Sequence, residues 1–196
     1  DNSPGTTDQQ TSDTGNSDGT DSYTAWQPYN FQEGEYYRYS FTMENETGTF
    51  YWDVQSVDGE MVTVETGMNY ENGESFTTTI TGNEETVYTQ SMYTPIGPFL
   101  ATGLYGWWVP YFSQGELRVG NSWSINAPRG ESFRFEIART EMIAGQRSFI
   151  GEYTINGQKV YTAGVSEDLG LSTYVEINDE QTGEQVLEIE LVEYRS

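Results

Sequence analysis

Apolar and polar residues alternate with a period of two along most of the chain. In Tyr36–Met43 every second side chain from Tyr37 onward is aromatic or apolar, and Arg38, Ser40 and Thr42 lie between them. The alternation recurs in Thr49–Val57, Ser132–Ala138 and Val186–Tyr194. Because successive side chains of a strand point to opposite faces, this pattern predicts strands with one buried and one hydrated face.

Turn-forming dipeptides separate these strand-like stretches. Asp58-Gly59, Asn72-Gly73 and Asn156-Gly157 tolerate the positive φ angles of a type I′ turn, so each predicts a tight hairpin. Longer connections are expected at Asn45–Gly48, Thr81–Asn83 and Asp179–Gly183. Together the pattern predicts about ten to twelve strands in an antiparallel meander. The fold class is therefore all-β, in the form of a half-barrel, a barrel or a sandwich, with an apolar Pro/Gly-rich insertion.

Helical periodicity is weak throughout the sequence. The best candidates for helix are a short piece within Pro98–Tyr105 and the region around Ser166–Leu169. The chain is therefore expected to contain little helix.

One stretch departs from the alternation, and we refer to Met92–Phe112 as the apolar insertion. It lies within an uncharged run, Thr86–Gly115, and three prolines and three glycines interrupt it. It is long enough to span a bilayer, but these interruptions argue against a membrane helix. A long apolar connection between two sets of strands is unusual. Three placements remain open: a plug in the hollow of the sheet, a cover on an open sheet end, or an exposed contact surface.

The densest aromatic cluster of the chain lies in the apolar insertion. Adjacent residues of an extended chain point to opposite sides, so Trp107 and Trp108 would face in different directions. Tryptophan and tyrosine dominate binding hot spots. The residues predicted to bind a ligand or partner are Phe99, Leu100, Tyr105, Trp107, Trp108, Tyr111 and Phe112. The alternative is that the insertion only packs onto the sheet.

The net charge of the chain excludes two classes of partner, nucleic acids and anionic membrane surfaces. The 196 residues include 31 acids and 8 bases, a formal net charge of −23, and Lys159 is the only lysine. Such a composition is typical of halophilic, archaeal proteins, because molar salt screens charge repulsion to within about 3 Å. An ordinary acidic protein is the alternative. Nucleic acids are recognised through Lys and Arg, so we expect no nucleic-acid partner and no charge-driven membrane binding.

The side chains for catalysis and metal binding are scarce. The sequence has no cysteine and no histidine, which removes the thiolate nucleophile and the commonest general base and metal ligand. Near pairs of carboxylates, such as Glu33 and Glu35, occur by chance among 31 acids. We therefore expect no catalytic residue, no metal, no cofactor and no enzymatic function. Carboxylate-only chemistry and a loose calcium site of turn carboxylates are the open alternatives.

The N-terminal residues differ in composition from the rest. Asp1–Ser22 contain five Asp, no base and no large apolar residue. Such a segment cannot bury enough apolar surface to offset its ordering entropy. Residues 1–22 are therefore predicted to be a disordered acidic tether, followed by a single β domain over 23–196. Any membrane anchor would lie outside this sequence, and a plain disordered leader is the alternative.

Asn45-Glu46-Thr47 matches the N-glycosylation sequon and lies in a predicted turn. On an extracellular protein, Asn45 would be exposed to the glycosylation machinery. The interpretation of the chain as a glycoprotein depends on this position.

The second half carries short motifs whose order resembles that of a known group. Leu117–Trp123 (LRVGNSW) is followed by Ile143–Phe149 (IAGQRSF), Glu167–Leu171 (EDLGL) and Glu190–Tyr194 (ELVEY). Over about Phe31–Tyr194 the chain resembles secreted or lipid-anchored β-rich surface proteins of haloarchaea, with a distant similarity to lipoprotein-carrier (LolA/LppX-like) half-barrels. The resemblance implies an antiparallel half-barrel at the cell surface and carries no catalytic residue. The carriers hold acyl chains in their concave face.

Three functions are weighed. The leading one is a non-enzymatic, extracellular cell-surface β domain that binds a hydrophobic ligand or a protein partner through the apolar insertion. The second is a structural subunit of an extracellular filament or surface assembly, in which Tyr23–Phe31 or the C-terminal strand adds to a neighbour's open sheet edge. The third is a carbohydrate-binding module that uses the same aromatic residues.

Overall fold

The computed structural model describes residues 26, 29–44, 46–104, 109–113, 116–126 and 130–196. The strands are β1 (Tyr36–Met43), β2 (Glu46–Asp58), β3 (Met61–Tyr70), β4 (Ser75–Gly82), β5 (Ser122–Asn126), β6 (Ser132–Ile143), β7 (Gln146–Ile155), β8 (Gln158–Ser166), β9 (Tyr174–Asn178) and β10 (Gln185–Arg195). The helices are α1 (Glu84–Ser91), α2 (Gly97–Phe99), a π-helical turn (Leu100–Leu104) and α3 (Val109–Ser113). The predicted tether and Asn45 lie outside the described residues.

The strands form one antiparallel sheet in the order β4-β3-β2-β1-β10-β9-β8-β7-β6-β5. Strands that follow one another in the chain are neighbours in the sheet, except β4 and β5, which lie at opposite edges. The first strand pairs with the last in the middle of the sheet. Within the described residues the edge strands β4 and β5 do not pair with each other, so the sheet is not closed. The predicted all-β antiparallel meander is confirmed.

The position of β10 contradicts the prediction that the C-terminal strand adds to a neighbour's open sheet edge. The C-terminal strand lies in the middle of the sheet, where it pairs with β1 on one side and β9 on the other. Both of its hydrogen-bonding edges are therefore occupied, and it cannot add to a neighbour's sheet without unfolding this one.

The alternation places one face of the sheet in the core, and we call this the inner face. On β1 the side chains of Tyr37, Tyr39 and Phe41 are buried, and Arg38 between them is exposed. The register shifts at Arg38/Tyr39 and Val54/Ser56, which are bulge positions. Bulges increase the local twist and bend a strand, and a bent sheet leaves space over its inner face.

The three tight turns lie at or next to the predicted positions, but their backbone geometries differ from one another. Asn156 and Gly157 both have positive φ (51° and 83°), as a type I′ turn requires. At Asp58-Gly59 the two-residue loop is shifted by one, because Asp58 pairs with Met61, and only Gly59 has positive φ. That hairpin is therefore not of type I′. Asn72-Gly73 belongs to a three-residue loop in which Gly73 adopts φ +94°.

Helix α1 was not expected from the sequence. Its start is fixed by Asn83, whose Oδ1 accepts a hydrogen bond from Thr86 N at 2.8 Å. Only Val87 and Ser91 of the helix are buried, which explains the weak periodicity. The predicted helix within Pro98–Tyr105 is present as α2 and the π-helical turn, whereas Ser166–Leu169 forms a turn.

The described part of the apolar insertion packs against the inner face. The Phe99 ring lies 4.8 Å from Phe41 and 5.1 Å from Phe50, between centroids. Phe112 contacts Phe135 of β6 at 5.1 Å, and Tyr161 Oη donates to Thr102 O at 2.6 Å. Of the three placements left open by the sequence, these residues adopt the plug. No helix in the described ranges has the length and apolar character needed to cross a membrane.

Candidate functional site

A hollow of about 240 Å³ remains beside the plug, at the end of the inner face where β1 begins. We call it the aromatic hollow. Its lining residues come from five separate parts of the chain: Tyr29, Phe31, Trp52, Glu84, Glu85, Tyr88, Leu100 and Leu171. The lining is mostly apolar, and the opening leads to solvent. This combination of apolar walls and a few polar groups is typical of small-molecule sites.

Three aromatic rings form one side of the aromatic hollow. The ring centroids of Tyr29 and Phe31 are 5.0 Å apart, those of Phe31 and Trp52 6.0 Å, and those of Tyr29 and Trp52 6.5 Å. Trp52 Nε1 donates a hydrogen bond to Tyr29 Oη at 3.0 Å. The three rings are therefore held as a unit before any ligand binds.

Helix α1 supplies the other side. Glu84 and Glu85 precede Tyr88 by four and three residues, a spacing that places all three on one face of a helix. Both glutamates are exposed and Tyr88 is half-buried. Acidic residues in the first turn also suit the positive end of the helix dipole. Leu100 and Leu171 are buried and complete the apolar lining.

The N-terminal segment is anchored by the loop after β8. Trp26 Nε1 donates to the Leu169 carbonyl oxygen at 2.8 Å. A Cβ atom on Gly170 would come within 2.5 Å of Tyr29 Cα, so the two backbones are in close contact there. This anchoring positions Tyr29 and Phe31 over the sheet and so defines the aromatic hollow.

A buried carboxyl group lies next to the aromatic rings. Glu35 is only 5% exposed, and its Oε1 accepts hydrogen bonds from Tyr37 Oη (3.2 Å) and Tyr194 Oη (3.4 Å). Its Oε2 is buried without a hydrogen-bond partner. Burial raises the pKa of Glu35 above its ordinary value, and the tyrosine hydroxyls oppose the shift. Burial and the nearby Glu35 raise the pKa of Tyr29, which keeps its hydroxyl protonated.

The raised pKa of Glu35 predicts a pH-dependent contribution to stability. The folded state binds this proton more tightly than the unfolded state, whose pKa is near 4.5. The stabilisation is present below pH 4.5 and is lost as the pH rises through the folded-state pKa. Compared with Glu35→Gln, which cannot titrate, the wild-type protein should therefore lose free energy of unfolding above pH 4.5. Urea unfolding from pH 4 to 8 measures the difference.

Glu60→Gln is the matched control for this prediction, because Glu60 is an exposed turn residue. The wild-type protein and Glu60→Gln should differ by less than about 0.5 kcal/mol in free energy of unfolding, because an exposed surface substitution has little effect on stability. A wild-type-minus-Glu35→Gln difference that rises with pH would contradict the assignment.

An apolar groove and a polar cavity lie outside the aromatic hollow. An apolar groove of about 310 Å³ lies at the other end of β1 and is lined by Met43, Glu44, Pro98, Phe99, Thr102, Ile177, Val186 and Leu187. A polar cavity of about 420 Å³ contains Glu35, Glu167 and Asp168. Across the described ranges, no group of three or more acidic side chains is arranged to hold a metal ion. Neither of these two cavities contains a cluster of contacting aromatic rings like that of Tyr29, Phe31 and Trp52.

The residues predicted to bind a ligand or partner differ in their burial and in their position in the structure. Phe99, Leu100 and Phe112 are buried in the core (4%, 3% and 1% exposed), and Leu100 also lines the aromatic hollow. Tyr111 is half-buried, with its ring centroid 5.4 Å from that of Phe135. Tyr105, Trp107 and Trp108 lie outside the described residues.

Sequence reasoning missed most of the lining of the aromatic hollow. In the sequence, Trp52 is one apolar position of the alternating stretch Thr49–Val57, and Tyr29 and Phe31 belong to Tyr23–Phe31. Glu84 and Glu85 were one near pair of acids among many. The available signal was Trp52, a large aromatic residue that points inward from its strand. The signal is weak, because no other residue of the aromatic hollow lies near Trp52 in the sequence.

No protein-family model matches the sequence, and no curated protein is significantly similar to it. Three of the similar solved structures have 10–14% sequence identity to this chain. The complex of Pseudomonas aeruginosa MucA and MucB matches with 10% identity and a TM-score of 0.43, over 84% of this chain and 52% of that one. A Parabacteroides distasonis protein classed as a lipoprotein matches with 14% identity and a TM-score of 0.39, over 84% and 96%. A Bacteroides fragilis protein with a YmcC-like fold matches with 10% identity and a TM-score of 0.40, over 89% and 100%.

This chain thus spans about half the length of the MucA/MucB chain that it matches. All three TM-scores are below 0.5. The partners and locations of these proteins are therefore not transferred to this chain.

Proposed function

We propose that this protein is a non-enzymatic binding domain that takes up a small ligand with an apolar group in the aromatic hollow. The observation that carries the proposal is the pre-formed corner of Tyr29, Phe31 and Trp52, which is open to solvent and fixed by the Trp52–Tyr29 hydrogen bond. Trp52 is buried behind Tyr29 and Phe31, which are half-buried, and aromatic side chains at the wall of a concave site provide large contact area at low entropy cost. An envelope or cell-surface location, as expected from the acidic N-terminal residues, belongs to the same proposal.

The size of the aromatic hollow limits its ligand. Pockets for drug-sized ligands measure about 300–1,000 Å³, and this one measures about 240 Å³. The inner face, where a lipid carrier would hold an acyl chain, is occupied here by Phe99 and Phe112. The proposed ligand is therefore one compact group and not a long chain.

Binding of a compact apolar probe tests the proposal. We expect 3,3-dimethyl-1-butanol, whose tert-butyl group is the size of a small apolar head group, to bind in the millimolar range. Removing a wall by Trp52→Leu or Tyr88→Ala should weaken binding by about fivefold or more, because each loses a ring contact of about 1 kcal/mol or more. Isothermal titration calorimetry measures the affinities, and circular dichroism verifies the fold of each variant.

Tyr93→Ala is the control, because Tyr93 belongs to the apolar insertion and is 87% exposed. It should bind the probe as the wild-type protein does. Tyr88→Ala keeps the test decisive if Trp52→Leu fails to fold, since Tyr88 lies on a surface helix. Unchanged affinity in a folded Tyr88→Ala variant, or no binding by the wild-type protein, would contradict the proposal.

A further inference from the structure

We propose that the ligand group held in the aromatic hollow is an organic cation of the alkylammonium class. This inference rests on the proposed function and specifies the chemistry of the ligand. It is argued from the angles between the aromatic rings, from the carboxylates at the opening and from the absence of a base in the described lining.

The aromatic rings present faces from more than one direction. The plane of Tyr29 lies at 65° to Phe31 and at 77° to Trp52. Rings at such steep angles form a corner, in contrast to a flat stack, so a compact group in the corner meets ring faces and edges together. The face of an aromatic ring carries the negative part of its quadrupole and attracts an ammonium group within about 6 Å of the ring centroid. A trimethylammonium group offers both positive charge and an apolar surface to such walls.

The charged side chains among the described lining residues are acidic. Glu84 and Glu85 of α1 are among the residues that line the aromatic hollow, and no Lys or Arg is among its described lining residues. A neutral apolar ligand would gain nothing from the two carboxylates, and an anionic ligand would be repelled by them. The net charge of −23 also attracts cations over longer distances at low salt.

A simpler role for Glu84 and Glu85 is to stabilise the first turn of α1 through the helix dipole. That role does not require Tyr88 to share their helix face, and it does not require this face to line a cavity. The helix could present the same two carboxylates to solvent on its outer side. Instead the glutamates and Tyr88 together line one side of the aromatic hollow. The two roles predict different effects on ligand affinity when the charges of Glu84 and Glu85 are removed without a change in side-chain shape.

The size of the aromatic hollow agrees with an ammonium head group. With about 240 Å³ it accommodates a group of a few methyl substituents around one nitrogen. Its opening leaves the remainder of the ligand in solvent. The expected ligand is therefore small, or carries its cationic group at one end.

A matched pair of probes tests the inference. Choline and 3,3-dimethyl-1-butanol have the same shape and differ in one atom, because the quaternary nitrogen of choline is replaced by carbon. We expect the wild-type protein to bind choline about tenfold more tightly than the neutral probe, as cation–π attraction in a partly dry site implies. Calorimetric titrations are run at 0.1 M total ionic strength for both probes, so that non-specific salt effects are equal.

The double variant Glu84→Gln/Glu85→Gln keeps the side-chain shape and removes two charges. It should lower the preference for choline several-fold and leave the affinity for 3,3-dimethyl-1-butanol within about twofold, because only the Coulombic part is lost. The matched control is Glu71→Gln/Glu74→Gln on the turn between β3 and β4, where both residues are exposed. It changes the net charge equally and should leave the preference for choline unchanged.

The outcomes separate this inference from the proposed function. Equal affinity of the wild-type protein for both probes would overturn the inference and leave the proposed function intact. No binding of either probe would overturn both. A preference for choline that both double variants reduce equally would show non-specific attraction to an acidic protein, and it would also overturn the inference.

Discussion

Phe99→Ala is expected to lower the free energy of unfolding by about 3–5 kcal/mol, the cost of emptying a phenylalanine-sized space in a core. Phe99 is 4% exposed and contacts both Phe41 of β1 and Phe50 of β2. It therefore connects the apolar insertion to the centre of the sheet. Denaturant unfolding, monitored by circular dichroism, measures the loss.

Tyr93→Ala is the matched control for this prediction. Tyr93 belongs to the same insertion and is 87% exposed, so its replacement should change the free energy of unfolding by less than about 0.5 kcal/mol. A Phe99→Ala effect as small as that of Tyr93→Ala would mean that the insertion does not plug the inner face.

Gly170→Ala is expected to cost about 1–3 kcal/mol by overpacking and to weaken binding to the aromatic hollow. Gly170 does not adopt a positive φ, so the backbone itself tolerates alanine. The cost is steric, because the added Cβ would lie 2.5 Å from Tyr29 Cα. Moving Tyr29 away would separate it from Trp52 and open one wall. Unfolding experiments and titration with 3,3-dimethyl-1-butanol measure the two effects on the same sample.

Glu167→Ala is the control, because Glu167 is an exposed residue of the same loop. It should leave both the stability and the probe affinity nearly unchanged. Gly170→Ala with normal stability and normal affinity would contradict the close packing of the N-terminal segment on this loop.

The strands could be predicted from the sequence because their signal is local. In β1 the alternation of aromatic and polar residues marks both faces, and the predicted bounds Tyr36–Met43 match the structure. Pairing of β1 with β10 brings together residues about 150 positions apart, such as Ser40 and Glu190. No local pattern encodes that pairing. Helix α1 depends on one capping residue, Asn83, and on packing of Val87, so its periodicity is too weak to detect.

The candidate site could be predicted only in part, because its residues lie far apart in the sequence and no local pattern connects them. The density of apolar residues along the chain identifies clusters such as the apolar insertion. The predicted binding residues Phe99, Leu100 and Phe112 of that insertion are buried in the core. The aromatic hollow is assembled from residues before β1, of β2, of α1, of the apolar insertion and of the loop after β8. Each is unremarkable in its own stretch of sequence. Glu35 likewise resembles the other acidic residues until the fold buries it.

The central claim is that ligands bind in the aromatic hollow, and the indole N–H of Trp52 reports on this most directly. The chain has five tryptophans, whose indole signals can be assigned in a ¹H–¹⁵N spectrum with Trp→Phe variants. Titration with 3,3-dimethyl-1-butanol should shift the Trp52 signal saturably, because its N–H contacts Tyr29 inside the aromatic hollow. The signals of Trp26, bonded to Leu169, and of Trp123, next to Phe135, should stay in place. A stationary Trp52 signal while the probe binds, or a saturable shift at Trp123 instead, would contradict the account.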